Sequence, residues 1–598
     1  MKIKLNWALF LLTAASYVFY PVWHLPFSPA AQWALLNLFI LLSAAVLYSP
    51  LDEVSLDASL PELKDLWPAL LLAAAACLPF WLTPLPTGSD DQSHAGPPAW
   101  LLGRAAAALG IDAPLLPLFT LPAAAALGAA AYYLKGRLRA PSRAAAALAL
   151  VAAGNAWFFA SARFGLADAI GRYETVLRYP ALSKFLYLPA YLLIGIREPA
   201  PRAVQFLFIA LTAVYLLRLL KFLKASPPPR LTFLLVAFFP TFFNLSISAE
   251  LEAGTVFFFT AAICHFIKAA SGGDRAQFLK CAFWTAAGFF YKQLPLGLML
   301  SFLPALAALW YIYPQRRPAW AYGLKTLLIP AAVGLPFIAI SAALDIRNAA
   351  LMLQNLLEPR LMFLNFVNLY DTAGPVLTGL LALSSGWAVY RRRGPELWLL
   401  LYLAAAYHVM ISASAAVGYI RHAQPFYIAP VLLLALWAAH AARRFPALWA
   451  ALLALLFFQS VFAKAPYQRK TAFNFREYAF PYGETAQYLR GLRRDGLKIY
   501  APMEVEPSHF YLAKYGLAGR LTWDRTLPAV FTAATASKAF KDGAYDFMLL
   551  PCSPFPGVPV DFTGVSGQLK ASGEFAVERL FDYGGNKLVL LKAAGSVN

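Results

Sequence analysis

Apolar runs of about 17 to 25 residues, each long enough for a helix to cross roughly 30 Å of hydrocarbon, recur from the first residues to about position 463. They are continuous rather than alternating, and rich in Leu, Ala and Phe. Such segments satisfy their own backbone hydrogen bonds, which predicts helices and argues against a barrel. Candidate spans cover 5–23, 30–49, 67–86, 115–134, 144–162, 203–220, 231–248, 252–269, 278–290, 294–313, 325–343, 373–390, 396–412, 424–440 and 446–463. Composition agrees: 60% of the 598 residues are apolar and 13% charged, with mean hydropathy +0.58. A water-soluble core could not enclose that much hydrophobic side chain. Lys2 and Lys4 precede the first run in the manner of a signal peptide, but the run continues through Tyr20 to Trp23, which favours an uncleaved first span.

Starting from an N-terminus in the cytoplasm, the loops after even-numbered spans carry the Lys/Arg excess. They hold Lys135, Arg137, Arg139 and Arg143; then Arg218, Lys221, Lys224 and Arg230; then Arg316 and Arg317; then 391–393; then Arg443 and Arg444. Topology thus accounts for most of the net charge of +20, and nucleic-acid binding is not expected. The segment 50–66 is an exception, being acidic. Cys77, Cys264, Cys281 and Cys552 are far apart and suggest neither a disulfide framework nor a thiolate metal site. The residues organise as an N-terminal hairpin of spans (1–66), a multi-span membrane domain (67–463) and a C-terminal segment (464–598) on the outer side. In that last segment "GETAQYLRGLRRDG" reads as a helix stopped by Gly496, "LKIYAPM" as a strand, and "SHFYLAKYGLAG" as a helix. "YDFMLLP" is a further strand, and "FAVERLFDYGGNKLVLLKA" two strands around Gly584-Gly585-Asn586. The expectation is a polytopic, mainly α bundle with a small α/β domain outside. No nucleotide-binding glycine loop is present, which argues against a nucleotide-driven pump.

Charges facing away from the cytoplasm fall in loops 87–113, 163–202 and 344–372, at Glu250, Glu252 and Lys292, and at Arg421 and His422. Singly, each reads as a solvated loop residue. Together on one membrane face, beside span ends, they are costly unless they meet one another or a polar ligand. Residues 164–202 carry Asp168, Arg172, Glu174, Arg178 and Lys184 beside Pro180. The following "ALSKFLYLPAYLLIGI" is too interrupted by Lys184 and Pro189 to span, and its aromatic residues suit headgroup depth. It predicts a helix along the outer interface, with Tyr173, Tyr179 and Tyr187 read as a lipid-facing belt in preference to sugar-stacking rings. His265, inside an apolar span, reads as packed or hydrogen-bonded, and His94, His265 and His422 lack zinc-ligand spacing.

The order "YPALSKFLYLPAYLLIG", "EPAPRAVQFLFIALTAVYLLRLLKFL", "FFPTFFNLSISAELEAGTVFFF", "GFFYKQLPLGLML" and "GYIRHAQPFYIAP" resembles the C-type glycosyltransferases of the protein mannosyltransferase and lipid A aminoarabinose transferase group, over roughly 160–598. The resemblance implies transfer of a sugar from a polyprenyl-phosphate carrier to a lipid, glycan or protein acceptor on the outer face. It implies Asp168 as the loop acid and Glu174 as a second, Glu250 and Glu252 at a later acidic position linked to acceptor or metal, and Lys292, Arg421 and Arg172 toward the lipid phosphate. Asp168 and Pro180 are closer in sequence than the family's pattern, and 87–110, with Asp90, Asp91 and His94 before Pro97-Pro98, also resembles the family's first loop. In that register Asp168 becomes the second acidic site. Paired acids could also hold a divalent cation, Mg or Mn, without requiring one.

The residue types suit the chemistry independently. A sugar hydroxyl is a poor nucleophile, and a positioned carboxylate accepting its proton contributes about 10²- to 10⁴-fold. A Lys or Arg near the departing phosphate stabilises charge that grows in the transition state. Direct displacement inverts the sugar centre with a single base. The rival class is a transporter or flippase for lipid-linked saccharides, against which stand the lack of two matched halves and the outer domain. A non-catalytic envelope assembly protein would leave Asp168, Asp90 and Asp91 dispensable. The lack of eukaryotic sorting signals points to a bacterial inner membrane.

Overall fold

The computed structural model describes residues 2–18, 20, 22, 25, 27–57, 61–85, 90–112, 115–134, 142–164, 186–225, 227–292, 295–344, 359–391, 394–413, 425–462, 479–502, 508–524, 526–528, 530–553 and 560–595. It is mainly helical. A short ribbon, β1 (Lys2–Lys4) antiparallel to β2 (Ser55–Asp57), closes a hairpin of α1 (Leu5–Val18) and α2 (Pro29–Val46). Then follow α3 (Pro61–Trp81), α4 (Asp90–Ala108), α5 (Leu116–Leu134), α6 (Arg143–Phe164), α7 (Tyr187–Ile194), α8 (Pro199–Phe222), α9 (Pro229–Ala237), α10 (Pro240–Ile247), α11 (Glu252–Gly272) and α12 (Arg275–Tyr291). The membrane part ends with α13 (Pro295–Ile312), α14 (Arg317–Leu344), α15 (Pro359–Arg391), α16 (Pro395–Ala413), α17 (Ile428–Ala441) and α18 (Ala447–Val461).

Among the described residues seven helices are long and apolar enough to cross a membrane, or eight if the bent pair α9–α10 is one span, and five shorter apolar helices stand beside them. These make the chain an integral membrane protein. Several expected segments take another form. Span 231–248 is the pair α9–α10, bent by 73°. Pro240 removes an amide donor at the first position of α10, and Phe239 before it is forced into extended backbone (φ −66°, ψ 128°). Loop 87–113 contains the 19-residue helix α4. From Pro359 the loop 344–372 is already helical, and α15 breaks at Gly374 (φ 72°), ahead of Pro375.

The two membrane faces are chemically distinct. On one, acidic residues of the exceptional segment meet arginines: Asp52 meets Arg143 at 2.6 Å, and Glu62 takes Arg218 in a fork at 3.0 and 3.1 Å. The acids there neutralise arginines of neighbouring loops.

The opposite face carries the α/β domain, formed by α19 (Tyr482–Gly491), β3 (Leu497–Tyr500), α20 (Ser508–Lys514), β4 (Leu521–Asp524), α21 (Ala533–Asp542), β5 (Phe547–Pro551), α22 (Phe562–Ala571), β6 (Phe575–Tyr583) and β7 (Asn586–Ala593). The sheet order is β4-β3-β5-β7-β6, with β3 parallel to β4 and β5, and β7 antiparallel to β5 and β6. The β6–β7 turn needs left-handed backbone at Gly584 (φ 59°) and Gly585 (φ 93°), the pattern of a two-residue I′ hairpin. Helix α19 ends at Gly491, earlier than expected, and Gly496 (φ 77°) instead turns the chain into β3.

The domain does not stand apart. Phe480, Phe510, Tyr511 and Ala513 share one core with Leu85, Ala95 and Ala99 below, and with Tyr187 and Tyr191 of α7. Helices α4 and α20 approach so closely that a Cβ at Gly103 would lie 2.9 Å from Ala518 Cβ and 3.0 Å from Ala513 Cβ. Lys514 binds Glu198 at 2.6 Å across the junction, and Leu85 N–H donates to the Tyr511 hydroxyl at 2.8 Å.

Candidate functional site beneath the outer domain

The turn between α10 and α11, "SAELE", brings Glu250 and Glu252 to the domain face. Glu252 is the first residue of α11, where a carboxylate is favoured by the helix dipole, and Lys292 caps the far end of the neighbouring antiparallel helix α12, where a cation is favoured. The helix termini therefore deliver opposite charges to one place. Lys292 Nζ donates to Glu252 Oε1, and the two side chains are only 4% and 2% exposed. Glu250 beside them is also buried.

Close packing makes this possible. Gly254 has no side chain to keep Tyr291 away: a Cβ there would lie 2.2 Å from Tyr291 Cζ. The Tyr291 hydroxyl lies beside the Gln205 side chain of α8. Gln205 Nε2 donates to the Tyr187 hydroxyl at 2.7 Å, and that hydroxyl donates to the Ala249 carbonyl at 2.6 Å. Tyr407 of α16 lies within electrostatic reach of Glu252. A polar seam thus runs from α12 through α8 and α7 to the acidic turn.

The seam is braced from below by Arg202, which is fully buried. Its Nη1 donates to the carbonyls of Phe80, Trp81 and Thr83 at 2.8, 2.9 and 2.6 Å, and its Nη2 to Pro84 at 3.1 Å. The Phe80 and Trp81 carbonyls end α3 and those of Thr83 and Pro84 belong to the turn that follows, so the arginine ties the end of that helix to the chain leaving it.

Glu252 and Lys292, expected in separate roles, are therefore ion-pair partners with Glu250 adjacent in sequence. Asp90 and Asp91 begin α4, but their side chains lie outside the described residues. So do Asp168, Arg172, Glu174, Arg421 and His422. Tyr173 and Tyr179 do too. The lipid-facing belt expected for Tyr187 is not what forms: Tyr187 and Tyr191 are 0% exposed, and Tyr191 donates to the Ala95 carbonyl at 3.0 Å. Their rings sit at a protein junction because the domain core continues into α7. His265 is packed, with Nδ1 2.6 Å from Gln277 Oε1. Sequence reasoning assigned no role to Gln205, Tyr291 or Arg202, although a Gln and an Arg at the start of an apolar span were visible signals.

Among the described residues no group of three or more His, Cys, Asp or Glu could hold a metal ion. In the Glu250/Glu252 pair, Glu252 Oε1 already accepts from the Lys292 ammonium.

No protein-family model matches the chain, and no curated protein matches it in sequence. A solved structure to which it is similar is the crystal structure of an Archaeoglobus fulgidus oligosaccharyltransferase in complex with zinc and sulfate, at 13% identity and TM-score 0.33. The match covers 62% of this chain and 59% of that one, so the chain spans less than two thirds of its length. A likeness this distant places no residue.

Proposed function

We propose that this protein is a glycosyltransferase that moves a sugar from a polyprenyl-phosphate carrier to a lipid, glycan or protein acceptor on the outer face of a bacterial inner membrane. The N-terminus is then cytoplasmic and the α/β domain outside. The observation that supports this reading is the buried meeting of Glu252 and Lys292 on the domain face, joined to α7 by the Gln205–Tyr187 seam. A water-excluded carboxylate and ammonium between hydrocarbon and an overlying domain suit a substrate that is part lipid and part sugar.

In the reaction the acceptor hydroxyl oxygen attacks the anomeric carbon as the bond from that carbon to the phosphate oxygen breaks, inverting the centre. The hydroxyl proton passes to a carboxylate. Asp168 is the base assigned by the family resemblance, with Glu174, Asp90 and Asp91 as the other candidates. Lys292, Arg421 and Arg172 face the departing polyprenyl phosphate, whose charge grows as the bond breaks. Glu252 orients the Lys292 ammonium through their ion pair, and Glu250, two residues before Glu252, is the carboxylate assigned toward the acceptor. No step is routed through a divalent cation.

The test is transfer of radiolabelled sugar from a panel of polyprenyl-phosphate donors by the purified protein, wild type beside Asp168→Asn and Asp91→Asn. Loss in the first alone assigns the base to 168, and loss in the second alone assigns it to the upstream loop. The bent pair α9–α10 favours a second reading as a transporter, because broken helices line transport paths. Absence of turnover with every donor, coupled to substrate movement across vesicles, would replace the enzyme by that reading.

A further inference from the structure

On the face opposite the α/β domain, three helix ends surround a recess of about 450 Å³: the end of α11 at Ser271, the end of α13 at Tyr313 and Arg316, and the start of α16 at Pro395 and Glu396. Its wall is apolar, made by Pro304, Ala305, Ala308, Leu309 and Ile312 of α13 and by Leu399 of α16. At 1.5 Å per residue, the stretch from Glu396 to Tyr402 carries it about 9 Å toward the membrane interior. There the Tyr402 hydroxyl donates to the Ser301 carbonyl at 3.1 Å, tying α16 to α13. The mouth is polar. Arg316 donates to the Ser271 carbonyl, and Glu396 at the start of α16 lines the same recess. Glu396 also lines a neighbouring recess of about 300 Å³ that contains Lys224. Trp310, Tyr311 and Trp398, all exposed nearby, are residues that favour headgroup depth.

We infer that this recess binds a phospholipid of the adjacent leaflet whose headgroup carries both a phosphate and a primary ammonium. One acyl chain lies along α13, the phosphate meets Arg316, and the ammonium meets Glu396. An apolar wall open to hydrocarbon selects a lipid tail over a water-borne ligand. The paired signs at the mouth select the headgroup: a carboxylate there repels a purely anionic lipid, and only an ammonium that keeps its N–H groups can donate to it. A quaternary ammonium lacks those donors. The site lies on the membrane face opposite Glu252 and Lys292 and is independent of the proposed reaction.

The full-length protein is placed in nanodiscs with equal parts phosphatidylethanolamine, phosphatidylglycerol and phosphatidylcholine, and the lipids it retains on detergent exchange are counted by mass spectrometry. The wild type retains the ethanolamine lipid up to about fivefold over either competitor, the yield expected of one partly exposed ion pair. Glu396→Gln brings that ratio near one, and Ala308→Trp, which fills the recess without touching the rim, removes one retained lipid per chain. Retention in the ratio of the bilayer, enrichment of the glycerol lipid, or an unchanged preference in Glu396→Gln would overturn the assignment. The wild-type competition decides it even if a variant fails to fold.

Discussion

Lys292→Met removes the ammonium from a carboxylate that is 2% exposed. Breaking a buried pair from one side costs about 3–5 kcal/mol, because the remaining charge keeps its desolvation penalty. The amino end of α11 offsets up to about 1 kcal/mol of this for Glu252, leaving a loss of about 3 kcal/mol. Glu252→Gln strands the ammonium instead, at the carboxyl end of α12, and the expected loss is similar. Replacing both removes the two charges of the pair together, and such replacements are near neutral. The double-mutant cycle should therefore show a coupling of about 6 kcal/mol, the two single losses together, read from unfolding in mixed micelles followed by tryptophan fluorescence. Single losses that add in the double variant to within about 0.5 kcal/mol would refute the pairing and the candidate site built on it.

Gly254→Ala, which helix propensity alone would favour by about 1 kcal/mol, should instead destabilise by about 2–3 kcal/mol because its methyl meets Tyr291; adding Tyr291→Leu should recover most of that loss in the same unfolding assay. Arg202→Met removes the guanidinium shared by four carbonyls at and just beyond the end of α3, so amide exchange over 78–85 should speed up at least tenfold, and Arg202→Lys should not rescue it, since a point ammonium cannot reproduce the fork. Lys592 at 2.9 Å and the Tyr488 hydroxyl hold the Glu578 carboxyl below its ordinary pKa of 4.5. A pKa lowered on folding gives stability that is full above the ordinary value and lost as pH falls through the lower one, so protection of β6 and β7 should drop below about pH 4.5, and Glu578→Gln should flatten that slope.

The membrane helices were legible because burial in hydrocarbon writes itself as composition: α8 and α11 fall where continuous apolar runs predicted them. The hairpin β6–β7 was legible from Gly584-Gly585 alone. Strand β4 was missed because "LTWD" is four residues long and gains its identity only from pairing with β3. Helix α4 was read as a loop because its buried face is Ala95, Ala99, Gly103 and Ala106, small residues that become apolar contacts only when α20 lies against them. In the candidate site the separate charges of Glu252 and Lys292 were visible, but their pairing depends on antiparallel packing of α11 and α12, and the Gln205–Tyr187 link on the placement of α7.

The shared core of α4, α7 and the C-terminal sheet has a consequence for biogenesis. The apolar platform of Ala95, Ala99, Tyr187 and Tyr191 is synthesised nearly three hundred residues before Phe480 and Phe510 arrive to cover it. At about 5–20 residues per second it stays bare for roughly 15–60 s, a window in which the nascent chain has an adhesive patch at the water boundary. Maturation is therefore a closing of the lid by the last segment made, and a chain cut short before residue 480 should be recognised and degraded rather than accumulate as a stable half-protein.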